Sequence, residues 1–149
     1  MNTLTDRLEY RLFDERNGFP ALYHYEGLTT GELFARRMCD FYIKNNQIYS
    51  KTSTAYESDL FVIYLSIDSK EEVFDDAPTY EYVTLELREW KEYVDSPILH
   101  TIACQNHEEV LGYIGSDYIQ LQGNEYEKVA AEIDEDRRAY ILYVQPSSI

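Results

Sequence analysis

The sequence has 149 residues, a hydrophobic content of 44% and a formal net charge of -15 at pH 7. This length suits one domain, 1–149, that needs neither a metal nor a disulfide for stability. A negative field of this strength repels nucleic acid and anionic membranes, so we expect neither as a direct partner.

The amino terminus alternates charged and apolar residues, which is not the pattern of a signal peptide. No apolar run approaches the roughly 18 residues that a membrane-spanning helix needs. The two cysteines, Cys39 and Cys104, are too few for a secreted disulfide scaffold. We therefore expect a cytoplasmic protein whose cysteines are free and buried.

The first predicted elements are two strands and a helix. Leu8–Leu12 and Ala21–Tyr25 have the alternation of half-buried strands, with a turn at Asn17-Gly18 between them. Thr29 then begins a capping box, which predicts the start of a helix. Its apolar stripe runs through Tyr42 and contains one charged residue, Arg37, before Asn45-Asn46 ends the helix.

The middle of the chain contains the longest apolar run in the sequence. Residues Leu60–Ile67 are rich in β-branched and aromatic side chains, which predicts a strand covered on both faces. A polar-faced strand, Gln47–Thr54, precedes this run. A second alternating strand, Tyr80–Glu89, follows an acidic loop that extends from Asp68 to Pro78.

The last third of the chain predicts three strands around a short helix. Ile98–Cys104 reads as a strand, and Asn106 as the N-cap of a helix that Gly115 terminates. Tyr118–Gln122 and Ala139–Val144 are the other two strands.

Between these last two strands the sequence allows two structures. Gly123-Asn124 fits a hairpin turn, and it also fits the start of a helix through Ile133. The helix is favoured because Ala130 and its neighbours are good helix formers. Asp134–Arg138 follows as a charged loop.

Strands outnumber helices and often follow one another directly, and no internal repeat is evident. This order predicts an α+β fold in a single domain. We expect a mostly antiparallel sheet of about six to eight strands with two or three helices.

One face of the predicted strand Tyr80–Glu89 combines tyrosines with charges and is expected to stay solvated, while the other packs on the core. Tyrosine has a large apolar body and a polar tip, which suits protein interfaces. We therefore predict that this face and the acidic loop beside it form a binding surface. Its residues are Tyr80, Tyr82, Glu86, Arg88, Glu71, Glu72, Asp75 and Asp76.

A second candidate site is a run of possible zinc ligands. His100, Cys104 and His107 follow the spacing His-x3-Cys-x2-His, and Cys39 would be a fourth ligand from another helix. The predicted strand carries the first two and the predicted helix carries the third, so the three need not converge. The stronger interpretation is ordinary half-buried side chains without a metal.

No phosphate-binding loop, calcium loop or nucleophile motif is present, so we expect no cofactor. The prediction is a small acidic domain that binds another protein, for which a basic surface fits best, and that has no catalytic activity. Two alternatives remain: a nucleic-acid-mimicking inhibitor of a basic protein, and a metal protein or enzyme using His100, Cys104 and His107. The sequence leaves the choice between monomer and homodimer open.

Overall fold

The computed structural model describes residues 5–68, 77–91 and 96–147. Ten strands and two α-helices form this part of the chain, with one short 3-10 turn, Glu15–Asn17. In chain order the elements are β1 (Leu8–Leu12), β2 (Ala21–Tyr25), α1 (Thr30–Met38), β3 (Phe41–Lys44), β4 (Gln47–Glu57), β5 (Leu60–Ile67), β6 (Thr84–Glu89), β7 (Ile98–Ala103), α2 (His107–Ile114), β8 (Tyr118–Leu121), β9 (Asn124–Asp134) and β10 (Ala139–Pro146).

All ten strands join one mixed sheet. Nine follow the order β2-β1-β5-β4-β3-β9-β10-β6-β7, and β8 pairs with part of β9. The pairings of β1 with β5, β6 with β10 and β3 with β9 are parallel. The predicted mostly antiparallel sheet of six to eight strands is therefore wrong. Parallel pairings join strands far apart in sequence, and local alternation carries no information about them.

The chain consists of two repeats with the same topology, although the sequence showed no repeat. Each repeat has two antiparallel strands, one helix and three further strands, of which the last lies parallel to the first. We call β1 to β5 the first repeat and β6 to β10 the second repeat. Leu8 lies opposite Phe61 in the first, and Leu85 lies opposite Tyr140 in the second.

Individual contacts recur between the repeats as well. The Lys51 Nζ donates to the carbonyl of Arg37 at 2.7 Å. At the matching place in the second repeat, the Lys128 Nζ donates to the carbonyl of Ile114 at 2.8 Å. The matching contacts make it possible to compare any position of one repeat with its counterpart in the other.

The main core lies where α1 and α2 pack on one face of the sheet. The helices contact each other and supply buried side chains such as Leu33 and Val110. The central strand β5 is buried along Phe61–Ile63 and at Leu65, as the apolar run predicted. None of the described helices has the length and apolarity that crossing a membrane requires.

Helix α1 begins as predicted but is shorter. The Thr29 hydroxyl accepts a hydrogen bond from the amide of Glu32 at 3.2 Å, which is the expected cap. The helix ends at Met38, and Phe41–Lys44 forms β3 instead of a last helical turn. The helical prediction for this segment is wrong because β3 is held between β4 and β9, and tertiary pairing overrides the local periodicity.

The second helix is confirmed, whereas the helix favoured after Gly123 is wrong. Asn106 caps α2 by accepting from the amide of Glu109 at 3.0 Å. Gln122 and Gly123 both have positive φ and form a two-residue turn between β8 and β9. This is the hairpin alternative with its turn one residue earlier than Gly123-Asn124, and Ala130 lies inside a strand that pairs with β10.

Candidate binding site

The predicted binding face of Tyr80–Glu89 is only partly accessible. Tyr82 is 76% exposed, but Glu86 and Arg88 are buried, so the expectation of a solvated face is wrong for these two residues. The reason is that other polar side chains cover this face of the sheet. The loop residues Glu71, Glu72, Asp75 and Asp76 lie outside the described residues.

Glu86 is the centre of a buried ion cluster. Arg137 donates both terminal nitrogens to its carboxylate, at 2.8 and 3.0 Å, and Arg88 Nε donates at 2.9 Å. The Tyr80 hydroxyl donates at 2.7 Å. Burial alone would raise the pKa of Glu86, but the hydrogen bonds from Arg137, Tyr80 and Arg88 outweigh it and lower the pKa. Because every donor is directed inward, the cluster holds the fold together and offers little to a partner.

The proposed zinc ligands do not converge. No group of three or more His, Cys, Asp or Glu side chains in the described part of the chain could hold a metal. The ring of His100 lies against Tyr126, and the Cys39 thiol donates to the carbonyl of Ala35. Burial raises the pKa of the Cys104 thiol, which disfavours the thiolate that zinc binds.

His107 belongs instead to a polar network between the helices. Its Nδ1 lies 2.9 Å from the Tyr140 hydroxyl and its Nε2 lies 3.3 Å from the Glu32 carboxylate. Burial is the largest influence and lowers the pKa of His107. Arg36 lowers it further, while Glu32 and Glu108 raise it, and the net effect is a lowered pKa.

This lowered pKa predicts a loss of stability in mild acid. Below the ordinary histidine pKa of 6.5, His107 is protonated in the unfolded chain but stays neutral in the folded protein until the pH reaches its lowered pKa. Because the unfolded chain binds more protons in this range, the free energy of unfolding decreases as the pH falls. We expect the His107→Gln variant to lose less stability than the parent protein between about pH 7.5 and about pH 5.5. Urea unfolding at both pH values measures this, and identical losses in the two proteins would contradict it.

The two repeats meet at two symmetry-related places, which we call seams. At the closed seam β3 of the first repeat pairs with β9 of the second repeat. Asp40 precedes β3, and its amide donates to the carbonyl of Ala131 in β9 at 2.7 Å. The Ala131 amide in turn donates to the Asp40 carboxylate at 2.9 Å. Phe41–Ile43 then pairs in parallel with β9, and Ala131–Asp134 is buried as a result.

The matching seam on the other side is open. The contacts of the repeats match Asp117 to Asp40 and Thr54 to Ala131, so symmetry would pair β8 with the second half of β4. Among the described residues, no strand pairs with β4 beyond Ser50 on this side, and the Asp117 carboxylate has no hydrogen-bond partner. Thr54–Glu57 is therefore exposed or half-exposed, in contrast to its buried counterpart in β9.

The free edge of β4 presents unpaired backbone groups. The Phe61 amide donates to Arg7 on the β1 side, so the backbone of Phe61 faces away from β4. Its partner Tyr56 therefore forms a non-hydrogen-bonded pair, and strand alternation gives Thr54 the same orientation. The amides and carbonyls of Thr54 and Tyr56 are consequently directed towards the open seam.

A groove lies beside this edge, between the two helices and β4. It is mainly apolar and contains one cation. Its lining residues are Phe34, Arg37, Met38, Thr54, Leu111 and Gly115.

Arg37 is the unusual residue of the groove. Its counterpart in the second repeat is Ile114, which is buried. The Arg37 guanidinium stacks over the ring of Phe61 at 4.6 Å, but its buried Nε has no hydrogen-bond partner and no described acidic residue pairs with it. Burial disfavours the charged form of Arg37 and so lowers its pKa. Closing the seam over Arg37 would desolvate this charge further, which disfavours closure by an apolar segment.

The sequence contains one signal for this site, a charged residue within the apolar stripe of α1. Arg37 interrupts the apolar stripe of α1, and a charge at such a position indicates either a buried partner or a ligand. The free edge of β4 had no comparable signal, because which strands pair is decided by long-range packing.

The chain matches no protein-family model, no curated protein and no solved structure.

Proposed function

We propose that this protein is a binding module that receives an extended segment of a positively charged partner protein. The segment adds as a strand to the free edge of β4 in the open seam. The single observation that carries this proposal is the difference between the two seams: one is filled by β3, and the matching one presents an exposed strand edge. Strand addition is a common mode of peptide recognition because unpaired backbone groups give affinity for any extended chain.

The composition of the groove defines what the segment must supply. Met38 and Leu111 offer apolar contact for one side chain of an added strand, since alternate residues of a strand point to the same face. Arg37 requires an acceptor, and a backbone carbonyl or a polar side chain of the segment provides one. A partner that accepts a hydrogen bond from the buried Nε of Arg37 removes the cost of leaving that donor unpaired, which favours the bound state.

The charge of the whole chain selects among partners. A net charge of -15 attracts basic proteins from a distance and repels acidic ones. Backbone pairing at β4 is indifferent to sequence, so specificity is supplied by the long-range field together with the apolar contact in the groove.

Affinity capture from the native cell extract at two salt concentrations tests the role of charge. We expect a basic protein to be retained at low salt and to be recovered in much smaller amounts at about 0.5 M salt, where the Debye length is only a few ångströms. A captured protein that is acidic, or whose yield does not change with salt, would contradict the proposal.

A more specific version of this proposal is that the basic partner is a nucleic-acid-binding protein, which this chain would inhibit. The negative charge that attracts a basic protein also competes with nucleic acid for its basic cleft. Displacement of duplex DNA from the captured partner by the purified protein would support this form, and simultaneous binding of both would exclude it.

A further inference from the structure

A second cavity lies at the junction of the repeats, apart from the open seam. It has a volume of about 330 Å³, which is within the range of small-molecule sites. We call it the junction pocket. It is bordered by the segment before β6, the first residue of α2, the turn between β9 and β10, and one arginine of α1. Its apolar and aromatic lining is formed by Tyr82, Val83, Ile133, Ala139 and Tyr140, and its charged or polar lining includes Glu81, His107 and Arg138.

Comparison of the repeats shows a difference in side-chain size at the cavity. The residues that match Ile133 and Ala139 in the first repeat are Tyr56 and Leu60, which are both larger. The Tyr56 ring packs against the Phe61 ring there, with 4.7 Å between centroids. The smaller side chains of the second repeat leave more room beside Tyr140 than the first repeat has beside Phe61.

Most polar groups inside the pocket already have partners within the protein. The hydroxyl of Tyr140 and the ring of His107 are bonded to each other. Glu135 is paired with Arg36 and with Lys44. Asp134, which also lines the pocket, is paired with Arg137. The apolar part of the wall is formed by Val83, Ile133 and Ala139, and it suits a hydrocarbon or aromatic group.

The rim of the pocket carries two opposite charges that are not used by the fold. Glu81 and Arg138 are both exposed and both line the pocket. Neither has an ion-pair or hydrogen-bond partner within the ranges that the structure describes. Tyr82, which is 76% exposed, lies on the same rim. A free guanidinium recognises a carboxylate, and a free carboxylate recognises an ammonium group.

We propose that the junction pocket binds a free α-amino acid with an apolar or aromatic side chain. The carboxylate of the ligand pairs with Arg138, its ammonium group pairs with Glu81, and its side chain enters the apolar interior. A zwitterion has no net charge, so the field of a chain with charge -15 does not repel it as it would repel a simple anion. This site is independent of strand addition at the open seam.

Titration of the 15N-labelled protein with L-phenylalanine and L-leucine tests the proposal. We expect saturable shifts of the amide signals of residues that line the junction pocket. N-acetyl-L-phenylalaninamide has the same side chain without either charge and is expected to cause no saturable shift. Substitutions Arg138→Gln and Glu81→Gln at the exposed rim are each expected to weaken binding about three- to tenfold.

Two control variants make the test specific. Arg16→Gln removes an exposed arginine far from the pocket in the first repeat and is expected to leave binding unchanged. Ala139→Leu introduces the residue of the first repeat and is expected to abolish binding by filling the cavity. The proposal is overturned if neither amino acid causes a shift, if the capped compound binds as well as the free amino acid, or if Arg138→Gln behaves like Arg16→Gln.

Discussion

Replacement of Glu86 with alanine is expected to lower the free energy of unfolding by about 3–5 kcal/mol, the cost of leaving buried charges unpaired. Glu86 is fully buried and accepts from Arg137, Arg88 and Tyr80. The variant would leave two guanidinium groups in the interior without this carboxylate. Chemical denaturation followed by circular dichroism measures the loss.

The internal repeat supplies a matched control for this substitution. Glu9 occupies the place of Glu86 in the first repeat and pairs with Arg11 at 2.5 Å, but both side chains are nearly one-fifth exposed. Glu9→Ala is therefore expected to cost about 1 kcal/mol or less, since solvent screens the pair. Equal losses in the two variants would show that burial of the second cluster contributes nothing.

The contribution of Glu86 also has a predictable pH dependence. Its pKa in the folded protein lies below the ordinary value of 4.5, so its stabilising effect is complete above that pH and disappears as the pH falls through the lowered pKa. The difference between the parent protein and Glu86→Gln is expected to shrink in strong acid. Glutamine is used here instead of alanine because it keeps the shape and one acceptor oxygen of glutamate, so this variant is expected to fold at neutral pH.

Thr54→Pro is expected to abolish capture of the partner while leaving the fold intact. The Thr54 amide is directed towards the open seam and bonds to no described backbone group, so its loss breaks no pairing within the sheet. Proline is tolerated on such an edge, and it removes the donor that an added strand needs. Capture from the same extract, with the basic partner quantified, gives the readout.

Thr54→Val is the matched control for this experiment. It changes the side chain at the same position, keeps the backbone donor and has a high preference for strands. Retention by Thr54→Val and loss by Thr54→Pro, at equal thermal stability, would support strand addition. If both variants retain the partner, binding takes place elsewhere on the acidic surface, and the open seam is not the site.

The local features of the sequence predicted local structure well. The capping residues Thr29 and Asn106 stand at the starts of the two helices, and the apolar run Leu60–Ile67 is a strand. These predictions succeed because capping and alternation depend on residues within a few positions of each other. The segment Phe41–Lys44 failed for the opposite reason, since its partners in β4 and β9 outweigh its own helical periodicity.

The candidate site was less accessible to sequence reasoning than the fold. Tyr82 is exposed, but it lies before β6, because the strand predicted as Tyr80–Glu89 begins only at Thr84. Glu86, inside β6, is buried under Arg137 from a distant turn. Alternation separates the two faces of a strand, but it does not indicate whether another part of the chain covers the polar face. The unusual position of Arg37 becomes visible only when it is compared with its counterpart in the other repeat, Ile114.

By itself, the sequence determined the charge of the protein, the starts of both helices and most strand positions, because composition, caps and alternation are local properties. The tertiary structure alone decided the parallel pairings, the internal repeat and the difference between the two seams. These depend on which distant surfaces pack together, and packing of that kind is a property of the whole chain. The clearest example is that β3 pairs with β9, whereas no strand within the described ranges pairs with the free edge of β4 at Thr54.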